Sequence, residues 1–192
     1  PNWASPLLPR YNKPGTQVTS VHHLFDIRIF HKQAKSLIKA GYDVTLIAQH
    51  DRDEIVDEIR IVALPKPANR IQRMTRTAWQ IYRLALRVDA DIYHLHDPEL
   101  IPLGLKLKYL GKKVIFDAHE DLPKQLLSKP YLGSNTARIL SVMTSLFERY
   151  ACSRFNGIIA ATPFIRDKFL AINPNTLDIN NFPIIGELDE AL

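Results

Sequence analysis

Six of the seven histidines in this 192-residue chain lie at the ends of short apolar runs, where side chains are free to do chemistry. His22 and His23 follow residues 18–21, His50 follows 44–48, His94 and His96 stand in and after 92–95, and His119 follows 113–118. Asp26, Arg28, Asp97, Glu120 and Asp121 accompany them. Imidazoles, carboxylates and a guanidinium gathered in this way could exchange protons, hold hydroxyl groups or balance an anion. His94, His96, Asp97, His119 and Glu120 are also metal-ligand types, and positions i and i+2 share one face of a strand. No HExxH or other fixed-spacing ligand pair occurs, however, so no metal is expected. Nucleophilic catalysis has no GxSxG turn to build on, and Cys152 falls inside a helical pattern as a buried, inert thiol. Seven glycines, none separated by a single residue, exclude both GxGxxG and GxxxxGK[ST] phosphate loops.

The elements that must hold these groups alternate between apolar runs and segments of helical period, the pattern of repeated βαβ units. Strands are expected at 18–21, 44–48, 59–64, 92–95, 113–118, 158–161 and 177–179. Between them, Phe30, Ala34, Leu37 and Ile38 recur at helical spacing up to Gly41, which suits a left-handed cap. A helix over 70–88 puts Met74, Ala78, Ile81 and Ala85 on one face, and further helices are expected at 98–110 and 163–170. A long helix over 136–155 carries Ile139, Val142, Met143, Leu146, Phe147 and Tyr150 at the spacing of a core face. Residues 1–15 hold four prolines and no periodicity, so they read as an irregular arm. The fold class is α/β: a Rossmann-like, mostly parallel sheet with helices on both faces. In such sheets ligands bind beyond the carboxyl ends of the strands, which is where the histidines fall.

Composition narrows the classes further. The 46% hydrophobic and 23% charged residues are those of a packed globule. One cysteine excludes a disulfide scaffold and favours a reducing compartment. No apolar run spans a bilayer and the first residues do not resemble a signal peptide, so a cytoplasmic protein is expected. Formal charge is +5, unevenly spread. Arg73, Arg76, Arg83 and Arg87 fall within about 80° of one another on the 70–88 helix, and Lys106, Lys108, Lys112 and Lys113 form a second basic group. This arginine stripe is either a solvated helix face or a contact for an anionic surface such as a membrane. With no recognition motif or aromatic platform among the basic residues, no nucleic acid partner is expected.

Three stretches, FDIRIFHKQAKSLIKAGYDVTLIA, DIYHLHDPELIPLGLKLKYLGKKVIFDAHEDLPKQLLSK and ERYACSRFNGIIAATPFIRDKF, together with the later NNFP, resemble the N-terminal half of glycosyltransferase family 4, the retaining GT-B enzymes. The resemblance runs nearly from Val18 to Pro183, with HDPELIPLG and DAHEDLP its more specific segments. It implies one half of a GT-B enzyme: 16–183 as the acceptor-side domain after an arm at 1–15, and 184–192 as the start of the link to a donor-binding domain. The Glu-x7-Glu donor motif of that second domain is not present, so this chain alone is expected to be inactive. The turn HHLFDIR also lacks the glycine pair that many relatives use near the donor phosphates. By resemblance His119 matches the histidine beside the transferred sugar. Asp97, Glu120 and Asp121 are then assigned to acceptor hydroxyls or to fixing His119, with Asp26 and Arg28 as lower-ranked neighbours. Asp97 precedes Pro98 and equally suits a helix cap. The implied partners are a nucleotide-sugar donor, UDP- or GDP-linked, and a glycan or lipid-linked acceptor in polysaccharide or glycolipid assembly at the cytoplasmic face of a membrane. No cofactor is implied. Two alternatives stay open: half of a GT-B-like sugar epimerase, and a non-catalytic binding module.

Overall fold

The computed structural model describes residues 11–69 and 72–183, which divide into two compact units, one ending at Tyr93 and the other beginning at His94. The first unit contains β1 (Tyr11–His23), β2 (Tyr42–Gln49), β3 (Glu54–Val56) and β4 (Ile59–Leu64), in the spatial order β3-β4-β2-β1. β1, β2 and β4 are parallel, with Val18 opposite Ile47 and Leu46 opposite Ile61. The run Val44 to Ala48 is buried throughout, as a parallel strand covered on both faces must be. Leu46, Ala48, Ile59 and Ile61 pack with Leu24, Ile29, Phe30 and Ala34 into one core.

Three features of this unit depart from the sequence expectations. β1 begins at Tyr11 rather than Val18, so residues 11–15 of the expected arm belong to the strand, while 1–10 lie outside the described residues. Its buried centre is polar, with Thr16, Gln17, Thr19 and Ser20 surrounding Val18, which hides it from a hydrophobic pattern. A register shift between Tyr11 and Pro14 takes up the proline, which has no N–H to give a ladder. Second, β3 and β4 form an antiparallel hairpin whose two turn residues, Asp57 and Glu58, both have positive φ, at 50° and 64°. This is the backbone of a two-residue hairpin without the Asn-Gly or Asp-Gly that would announce it. Third, the helices start as wider π turns. Ile27–Ala34 leads into α1 (Lys35–Lys39), which ends at Gly41 with φ 86°, the expected left-handed cap. Arg73–Thr77 leads into α2 (Ala78–Val88). Ile81 and Ala85 are buried as expected, but Met74 is exposed, because a π turn advances less per residue than the α period that aligned it with Ile81.

The chain enters the second unit along β5 (Ile92–Leu95), followed by β6 (Lys113–Ala118), β7 (Gly157–Ala160) and β8 (Thr176–Asp178), which lie in that order. β6, β7 and β8 are parallel. A 3-10 turn, Pro98–Leu100, opens α3 (Ile101–Tyr109), and α4 (Leu122–Leu127), α5 (Ser134–Cys152) and α6 (Pro163–Leu170) follow. α4 is not expected from periodicity, since six residues are too short to show one. α5 turns the opposite way from the expectation. Ile139, Val142, Met143, Leu146, Phe147 and Tyr150 are exposed, and the buried positions are Ala137, Ser141, Glu148, Ala151 and Cys152. The helical period groups residues onto a face without saying which face turns inward. Here the face of small side chains does, with Ser141 Oγ donating to the Pro123 carbonyl at 2.8 Å.

Candidate functional site

β5 and β6 are neighbours, and each places alternate residues on the same face at its carboxyl end. From β5 come His94 and His96, and from β6 come Asp117 and His119. Asp117 Oδ2 lies 3.8 Å from His94 Nε2 and 3.4 Å from His96 Nδ1, and Asp117 Oδ1 lies 3.8 Å from His119 Nε2. The His94 and His96 rings are 4.5 Å apart, and His119 stacks on His96 at 6.2 Å. Asp117 is wholly buried, His94 and His96 nearly so, while the His119 side chain keeps 22% of its surface exposed. The structure thus brings His119 together with two other imidazoles around a carboxylate. His119 is the most open of the three imidazoles, while His96 has no exposed side-chain surface.

Asp117 was not among the candidates, because in KVIFDA it reads as one polar residue in an apolar run. Its signal is the i, i+2 relation to His119. Of the remaining candidates in this unit, Asp97 is buried, with extended backbone, directly before Pro98. Its carbonyl accepts from Leu100 N at 2.9 Å, but its carboxylate makes no cap to the turn, so the helix-cap alternative does not describe the side chain. Glu120 is exposed. Asp121, a candidate for acceptor hydroxyls or for fixing His119, caps α4 through Lys124 N and pairs with Lys168 Nζ at 3.0 Å and Lys124 Nζ at 3.4 Å. Burial pushes its carboxyl up, but the Lys168 hydrogen bond and charge outweigh this and hold it below the usual range. Lys168 also contacts Glu148 at 2.5 Å. Burial raises Glu148 despite that lysine, and burial beside Glu148 drives the Cys152 thiol far above its ordinary range, as an inert thiol requires.

In the first unit Asp26, a lower-ranked candidate, caps the helix that begins at Ile27. One oxygen accepts from Arg28 N and Ile29 N, each at 2.9 Å, and the other lies 3.3 Å from His22 Nδ1. Arg28 is buried in the first turn that this cap secures. The arginine stripe divides. Arg76, Arg83 and Arg87 are exposed, whereas Arg73 is half-buried and lines a cavity of about 360 Å³ with Gln49, Lys66, Pro67 and Asn69.

Parallel strands with histidines and carboxylates at their carboxyl ends define a Rossmann-like α/β domain with a polar site where such folds bind ligands. The glycosyltransferase family 4 model matches residues 27–177, and the chain belongs to that family. Similar solved structures carry the fold. The sucrose-phosphate synthase of Thermosynechococcus elongatus aligns with a TM-score of 0.61 at 11% identity, over 94% of this chain and 52% of its own. A glycosyltransferase from Rickettsia africae gives 0.56 at 14% identity, over 94% and 46%. A putative UDP-N-acetylglucosamine 2-epimerase from Listeria monocytogenes gives 0.54 at 14%, over 83% and 42%. This chain therefore spans about half the length of these three. No curated protein matches it in sequence.

Proposed function

We propose that this chain is the acceptor-side half of a retaining glycosyltransferase, which moves a sugar from a UDP- or GDP-linked donor to a glycan or lipid-linked acceptor. The observation that carries the reading is the placement of His119 at the carboxyl end of β6, partly open above a buried Asp117 and His96, in a chain of family 4. Glycosyl transfer needs a positioned acceptor hydroxyl, a stabilised departing diphosphate and exclusion of water from an oxocarbenium-like centre. Charge on the diphosphate falls to a second, donor-binding domain in this reading. His119 supplies a hydrogen bond beside the transferred sugar, its ring held by stacking on His96. Exposed Glu120 and buried Asp97 orient acceptor hydroxyls. Asp121 acts one step removed, by fixing the start of α4 behind them.

Polysaccharide or glycolipid assembly on an anionic membrane surface fits the exposed Arg76, Arg83 and Arg87. The epimerase neighbour favours a second reading, half of a nucleotide-sugar epimerase, and product analysis separates the two. The test joins the chain to a donor-binding domain and supplies a panel of UDP- and GDP-sugars with candidate acceptors. Sugar appears on the acceptor, and His119→Ala lowers kcat roughly 10- to 1,000-fold with donor KM changing far less, the pattern for a group that acts in the transition state. Recovery of an epimerised donor in place of glycosylated acceptor overturns transfer. An unimpaired kcat in a well-folded His119→Ala protein removes His119 from the site.

A further inference from the structure

We propose that His94 Nε2, His96 Nδ1 and Asp117 Oδ2 form a buried binding site for one divalent transition-metal ion of the zinc class. These three atoms lie within 4.8 Å of one another, and their residues are all buried. The carboxylate oxygen is 3.8 Å from one nitrogen and 3.4 Å from the other. Ligands about 2.0–2.1 Å from a tetrahedral zinc stand roughly 3.3–3.4 Å from one another, so each oxygen–nitrogen separation is within about half an ångström of that spacing, and the two donor nitrogens, no more than 4.8 Å apart, approach by at most about 1.5 Å to share an ion. The same separations are too long for good hydrogen bonds.

His96 supplies the second, independent observation. Its side chain has no exposed surface, and neither ring nitrogen has a hydrogen-bond partner. A buried imidazole left in that state costs free energy, which a metal bond to Nδ1 removes on the side facing Asp117. The fold explains why the ligands converge although no spacing motif announces them. His94 is on β5 and His96 stands one residue past its end at i+2, Asp117 is on the neighbouring strand, and adjacent strands stand about 4.8 Å apart. Two imidazoles and one carboxylate suit zinc, cobalt(II) or nickel(II), whereas magnesium and calcium prefer oxygen alone.

The ion ties the end of β5 to the end of β6. Asp117 turns its other oxygen toward His119, so a metal held on Oδ2 also fixes the carboxylate that underlies that ring. The role is positional, and the proposal does not depend on glycosyl transfer.

The test uses the whole chain without an affinity tag, stripped by a chelator and then titrated with zinc and cobalt(II). One equivalent binds, zinc raises Tm, and the cobalt form shows the visible absorption of a low-symmetry, four-coordinate ion. His94→Gln and Asp117→Asn each weaken binding at least tenfold, while His31→Ala, at an exposed histidine outside the cluster, does not. X-ray absorption of the unmutated zinc form finds two imidazoles, a measurement that stands even if a variant fails to fold. Absence of stoichiometric binding, unchanged affinity in both ligand variants, or fewer than two imidazoles on the ion each overturn the proposal. Protonated histidines paired with Asp117 would appear as the first of these outcomes.

Discussion

Asp121 sits between two lysines, and that decides how this corner of the molecule responds to acid. Its folded pKa is lowered, burial being outweighed by Lys168 and Lys124, so its stabilisation is full above the ordinary value of 3.8 and is lost as pH falls through the lower, folded value. Glu148 has the opposite sign. Its pKa is raised by burial, so its contribution weakens as pH climbs from 4.5 through the raised value. The two groups share Lys168, but only Asp121 gives a limb at the acid end. Tm therefore falls on acidification below about pH 4, and Asp121→Asn flattens that limb. Thermal melts across this range check it, and an unchanged slope in Asp121→Asn assigns the acid limb to other carboxylates. His119 kinetics in the same variant distinguish a cap from an acceptor ligand: as a cap, Asp121 can be replaced by Asn with little loss, since asparagine caps helices as well as aspartate.

Among the elements, α3 packs closely on its neighbours at Gly104, where a Cβ would come within 2.7 Å of both Leu95 Cδ1 and Phe155 Cζ. Both are buried core side chains. Gly104→Ala should cost about 1–3 kcal/mol by overpacking and lower Tm by several degrees. Calorimetry of the variant checks this, and an unchanged Tm shows that Leu95 and Phe155 can give way. Legibility in the sequence followed the same physics of packing. β4, β5 and β6 were readable to the residue because mostly buried parallel strands leave short runs dominated by apolar residues between polar turns. β1 was not, because its buried centre is threonine, glutamine and serine. The π turns at Ile27–Ala34 and Arg73–Thr77 share composition with α-helix and differ only in period. α5 showed its amphipathic pattern clearly, yet its larger apolar face lies outward, and nothing in one helix's period says which face its neighbours will cover. The candidate site was legible as histidines at strand ends. Asp117 was hidden inside an apolar run, and it became visible only once β5 and β6 were placed side by side.

At the scale of the whole molecule the informative quantity is charge. The formal excess is +5, and the sequence pI is about 9.3. Among the described residues no helix is long and apolar enough to cross a membrane. Arg76, Arg83 and Arg87 are the exposed part of the stripe, whereas Arg73 lines a cavity and serves as a poor probe of surface charge. Each basic residue near an anionic leaflet contributes about 1 kcal/mol, so three contribute about 3 kcal/mol, or roughly 100-fold in affinity. Reversing Arg76, Arg83 and Arg87 to glutamate turns the formal excess of base into a slight excess of acid, which exceeds mere neutralisation. Sedimentation with phosphatidylserine-containing vesicles at low salt should therefore be lost in the triple variant and retained in Arg73→Ala. In the unmutated chain it should weaken as ionic strength rises and the Debye length shrinks from about 30 Å at 0.01 M to 8 Å at 0.15 M. Because the three arginines are exposed, the substitution leaves the fold intact, and circular dichroism verifies that control. An unmutated chain that does not sediment with such vesicles reduces the stripe to an ordinary solvated helix face.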